Sequence, residues 1–131
     1  MIFRAIALIS AIALSGNAMA QDFSGADLRS ELQLWSHVDR GTATPEQNAR
    51  LGHVLGYIEG FSDAYLQEKT RGGHAAQDMF TFCLPSQYTV GELRRVAEAY
   101  LNRRQEPHID RAPASGVLAM AFHEAYPCRK R

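Results

Sequence analysis

The sequence predicts an all-α fold: a compact single domain of about four helices with one intramolecular disulfide. Three observations lead there. Apolar residues recur at helical spacing in four segments, and two of those segments open with a capping box. No run alternates over enough residues to make a strand. The two cysteines, Cys83 and Cys128, sit in a chain that begins with an export signal, where an even count reads as a bridge.

The first twenty residues read as a signal peptide rather than as part of the fold. Arg4 supplies a short positive region, Ala5 to Leu14 an apolar core, and Ala18-Met19-Ala20 the small-x-small pattern that signal peptidase cuts after. The apolar run is too short and wrongly flanked for a membrane span. The expected mature domain therefore runs from Gln21 to Arg131 in the periplasm, with no membrane attachment once the leader is cleaved. It has about 110 residues, enough for one small domain in which a single cross-link matters. The chain carries 14 basic and 14 acidic residues, and loss of Arg4 leaves it one charge negative. Such a balance gives no electrostatic footprint for nucleic acid.

The first helix is expected over residues 24–40. Leu28, Leu32 and Trp35 fall at i, i+4 and i+7, Leu34 and Val38 broaden the stripe, and Gly41 suits a C-cap. The second starts at Thr44-Pro45-Glu46-Gln47, with a hydroxyl at the N-cap, proline at N1 and glutamine at N3. Its stripe is Leu51, Val54, Leu55, Ile58, Phe61 and Tyr65, ending near Lys69. The third starts at a second capping box, Thr89-Val90-Gly91-Glu92, and buries Leu93, Val96, Ala97, Tyr100 and Leu101, with Arg94 and Arg95 on other faces. The fourth runs from near Pro113 to about Ala125, with Val117, Leu118, Ala121, Phe122 and Ala125 inward, and Pro127 stops it.

Within the second helix, Gly52, Gly56 and Gly60 form one ridge at four-residue spacing. Each costs about 1 kcal/mol relative to alanine, so the ridge implies a compensation. Close packing against another helix of the same fold is the leading reading, and a homodimer seam the second. The connection from Thr70 to Thr81 is long for so small a domain. It carries Arg71, Gly72, Gly73, His74, Gln77 and Asp78, polar residues with glycines that permit an unusual loop shape, and they are the candidate contact with a partner protein. The connection Gln105–Arg111 is the second candidate.

Catalytic chemistry has no supporting constellation. Neither cysteine has a histidine at a recognisable spacing, and exported pairs are structural far more often than nucleophilic. His37, His53, His74, His108 and His123 are scattered, with no pair at the spacing of a helical zinc site. Glu59 and Asp63 share a helical face and read as a solvated pair. No metal, cofactor or enzyme activity is expected.

The ordered pieces Gly56-Tyr57-Ile58 with Gly60, Asp63-Ala64, Phe82-Cys83-Leu84-Pro85, Thr89-Val90-Gly91-Glu92-Leu93, Ala99-Tyr100-Leu101, Pro107-His108, Ala112, and the ending Ala121-Phe122 through Ala125-Tyr126-Pro127-Cys128 resemble the Rap/Tai immunity proteins of type VI secretion systems. The resemblance covers residues 51–128, and nothing in 21–50 contributes to it. It implies a small helical periplasmic protein with an intramolecular disulfide, whose cysteines fall on Cys83 and Cys128. It also implies a non-catalytic inhibitor that binds a toxic peptidoglycan amidase and occludes its cleft with a protruding segment, in several cases as a homodimer. The family's glycine-containing helix falls on Gly56 and Gly60. Two other readings stand beside it: a periplasmic acid or stress chaperone, similar to small helical acid-resistance proteins with one disulfide, and a family member with no toxin partner.

Overall fold

Three capping boxes each set the start of a helix. Thr44 with Gln47 and Thr89 with Glu92 form the two expected from the sequence, and Ser24 with Asp27 forms a third. In each, the hydroxyl accepts from the N3 backbone N–H, and the N3 side chain accepts from the cap's own N–H. A computed structural model describes residues 22–71 and 81–128. Its helical segments are α1 (Gly25–Gln33), α2 (Trp35–Asp39), α3 (Pro45–Thr70), α4 (Val90–Arg103), α5 (Pro107–Arg111) and α6 (Ala114–Ala125). Among the described residues there is no strand, and two isolated bridges join Ser24 to Pro113 and Phe82 to Pro127. The fold is all-α with one disulfide, as the sequence predicts.

Two boundaries differ from the sequence expectation. The first helix breaks at Leu34, whose N–H closes α1 onto Glu31 and Leu32 before the chain restarts as α2. Trp35 thereby stands half-buried, packed against the margin of the core. Gly41, at a positive φ of 66°, ends this second piece, a conformation that favours glycine. The connection after α4 also folds into the turn α5, with Pro107 at N1 and Ile109 buried.

The core is built around α1, which touches all five other helices. Its buried Leu28 and Leu32 meet Leu51, Val54 and Ile58 of α3, Leu93, Ala97 and Leu101 of α4, and Val117, Leu118 and Phe122 of α6. Gly25 makes the closest approach: its N–H donates to the Ala112 carbonyl at 2.8 Å, and a Cβ there would run into the Ile109 carbonyl oxygen. Because that obstacle is backbone, it cannot turn aside, and glycine is required. One turn on, the Arg29 guanidinium donates to Asp110 Oδ1 and to the carbonyls of Leu101 and Arg104. It satisfies carbonyls that the end of α4 leaves open and fixes α1 to α5. Glu31 adds a second tie, lying 3.2 Å from His53 Nδ1 and 3.8 Å from Arg50 Nε.

Three carboxyls are held below their ordinary range by this local structure. Asp27 is lowered by the Ser24 hydroxyl and then its N–H, and Glu92 by the Thr89 N–H and then its hydroxyl. Glu124 is lowered chiefly by its hydrogen bond from Arg103. A carboxyl lowered in the folded state stabilises it above the ordinary value, and that contribution is lost as pH falls through the lowered one. The thermal midpoint should therefore hold steady above about pH 5 and fall below about pH 4, and Asp27→Asn with Glu92→Gln should make the fall shallower. A thermal melt series between pH 7 and pH 3 checks this, and an unchanged slope in the double variant would contradict it.

Candidate functional site

Phe82 and Cys83 anchor the segment ahead of α4. The Phe82 N–H donates to the Tyr65 hydroxyl at 3.0 Å, and that hydroxyl donates to the Phe82 carbonyl at 3.2 Å. The Phe82 ring is fully buried, stacked on Tyr65 of α3 at 3.8 Å and edge-on to Phe122 of α6 at 5.4 Å. Next to it, the Cys83 N–H donates to the Tyr126 carbonyl at 2.8 Å, and Cys83 is bridged to Cys128 with a Cα–Cα distance of 4.9 Å. Lys69 Nζ lies 3.1 Å from Cys83 Sγ, and His123 Nδ1 donates to the Thr81 carbonyl at 2.6 Å. The cysteines are thus occupied in structure, as the sequence reading holds.

A cleft of about 580 Å³ opens between α1, α2 and α4. Arg94 forms its wall. This residue is 8% exposed, although its place in the sequence puts it off the core face. Its guanidinium lies 4.0 Å from the centre of the Trp35 ring, and its Nη1 donates to Glu98 Oε2 at 2.6 Å. The break at Leu34 is what delivers Trp35 to this stack. Arg94 Nε is buried and has no hydrogen-bond partner among the described residues. Arg95 and Asp39 also line the cleft and are exposed.

The glycine ridge stands apart from both features. Gly52, Gly56 and Gly60 are exposed, and a Cβ built on any of them meets no atom of the described residues within 4 Å. Helix packing within the described fold therefore does not account for the ridge, which corrects the leading sequence expectation. The apolar stripe of α3 turns its other side, Leu51, Val54 and Ile58, to the core. The neighbouring Glu59 and Asp63 are exposed, and Tyr88, its phenol pushed up by burial and then by Asp63, packs beside them.

Rap1a immunity proteins match this chain over residues 24–128, well over half its length. The chain belongs to the Rap1a immunity protein family. No curated protein and no solved structure matches it. The match begins at α1, so the family character extends over 24–50, a segment in which the sequence reading recognised nothing. The geometry gives the reason: a Rap1a domain of this kind needs α1 as the centre of its core.

Of the candidate contact residues, Arg71 is exposed and caps the end of α3, its N–H donating to Gln67 and Lys69 carbonyls. Gly72, Gly73, His74, Gln77 and Asp78 lie outside the described residues, as does the leader expected at 1–20. Among the described residues, no group of three or more His, Cys, Asp or Glu side chains is placed to hold a metal ion, and no helix is long and apolar enough to cross a membrane. The Arg94–Trp35 cleft was missed from sequence because Arg94 sits next to the buried Leu93 and reads as a solvated cation.

An open ridge reverses the usual expectation for Gly→Ala. With space at each Cβ, Gly56→Ala and Gly60→Ala should each stabilise the isolated protein by up to about 1 kcal/mol. Urea unfolding of the two variants measures it, and destabilisation by either would show that the ridge is packed.

Proposed function

We propose that the chain is a non-catalytic immunity protein that binds a toxic effector and occludes its active-site cleft. The observation that carries this reading is the family match over residues 24–128. Binding of this kind needs a preformed surface more than a reactive group, because order established beforehand is not lost on association. A small helical domain cross-linked at Cys83–Cys128 meets that need.

The finer reading is a peptidoglycan amidase delivered by a type VI secretion system, met in the periplasm. The leader pattern at 1–20 and the disulfide support that address. The segment from Arg71 to Asp78 remains the proposed contact. Support comes from its two flanks: α3 continues to Thr70, and Thr81, Phe82 and Cys83 are bonded to His123, Tyr65 and Tyr126 respectively. A second copy of the chain packed along the exposed glycine ridge is the accompanying proposal, since a ridge without side chains lets another helix come close.

Co-expression with peptidoglycan amidase effectors of type VI secretion systems tests the reading. The expected outcome is a stoichiometric complex and loss of amidase activity on peptidoglycan. Arg71→Ala should weaken the complex several-fold while leaving the melt unchanged. Separate elution of the two proteins with full amidase activity would overturn the inhibitor reading.

A further inference from the structure

We propose that the cleft between α2 and α4 receives a single carboxylate side chain, glutamate or aspartate, from an extended segment of the protein that this chain binds. The inference rests on the partner-binding reading above and names a surface distinct from the segment that begins at Arg71.

Hydrogen-bond demand carries the argument. Arg94 is 8% exposed and lines the cleft, yet its Nε has no acceptor among the described residues. A buried donor without a partner carries an uncompensated desolvation cost, so the site favours any ligand that brings an acceptor. Charge–charge accounting alone does not select the ligand. Arg29 is matched by Asp110 and Arg94 by Glu98, and the lining carries one further acid, Asp39, and one further base, Arg95. A polyanion is therefore disfavoured, and one acceptor is favoured. A carboxylate brings opposite charge and two acceptor oxygens that suit the planar guanidinium, which points to a carboxylate rather than an amide.

The remaining lining fits a peptide. Trp35 offers a flat apolar wall for the residue flanking the acid, and the side-chain amides of Gln33 and Asn102 offer donors and acceptors to a main chain. Arg95, exposed, interacts with Glu92 but makes no ion pair within 4 Å among the described residues, so it adds an unspent donor at the rim. Because the Arg94 guanidinium rests on Trp35, a carboxylate that reaches Nε must slide one plane over the other.

That coupling supplies the readout, since Trp35 is the single tryptophan of the chain. The experiment titrates the mature protein with acetyl-Leu-Glu-Leu-amide and, separately, with acetyl-Leu-Gln-Leu-amide, following Trp35 fluorescence. The expected result is a saturable change with the glutamate peptide and at least tenfold weaker binding of the glutamine peptide. Arg94→Lys keeps the charge and removes Nε, and should weaken the glutamate peptide at least tenfold with unchanged helicity. If that variant does not fold, Arg95→Ala decides, with at least threefold weakening expected. No saturable response in the parent protein, or equal affinity for the two peptides, overturns the proposal. The titration needs no effector, so its failure leaves the immunity reading intact. Conversely, an effector that does not bind leaves the peptide result to stand by itself.

Discussion

Phe82 and Cys83 join three parts of the chain within two residues. The Phe82 ring fills the space between Tyr65 on α3 and Phe122 on α6, its main chain is bonded on both sides to the Tyr65 hydroxyl, and Cys83 is bonded to Tyr126 and bridged to Cys128. Burying a phenylalanine contributes roughly 1.5–3 kcal/mol. Cross-linking residues 45 apart contributes about 4 kcal/mol through the entropy of the unfolded chain. A domain of this size has only about 5–15 kcal/mol in total, so this short segment decides much of whether α4, α5 and α6 stay seated on α3.

The other end of the molecule is fixed by backbone proximity and one guanidinium. Gly25 lets α1 approach the α5 backbone, and Arg29 then ties α1 to Asp110 and to the exposed carbonyls at the end of α4. With both ends fixed, features that a helix would normally bury are left at the surface. The α3 glycine ridge faces outward, and Trp35 stands against Arg94 in an open cleft. The Cys83–Cys128 bridge at one end and the Gly25 and Arg29 contacts at the other hold these surface features in fixed places.

Local chemistry was the legible part of the sequence. Thr44 and Thr89 mark their helix starts because a capping box is closed by residues three apart, and Pro127 marks a helix end for an equally local reason. The Cys83–Cys128 bridge followed from the expected compartment and the even cysteine count. What depends on distant residues was hidden. Gly25 reads as an ordinary first-turn glycine until the Ile109 carbonyl is placed against it. Arg94 reads as solvated until the break at Leu34 turns Trp35 over it. The glycine ridge misled for an instructive reason: its propensity cost was attributed to packing inside the fold, and no described atom is there. Likewise, α1 was placed correctly as a helix start, but its standing as the centre of the core depends on contacts with five other elements.

The claim that the Phe82–Cys83 anchor governs the fold is most directly tested by denaturant unfolding of the mature protein, oxidised and reduced, with alkylation and intact mass confirming the thiol state. The account predicts a disulfide in the native protein and a loss of about 4 kcal/mol on reduction. Two free thiols in the native protein, or equal stability in the two states, would contradict it.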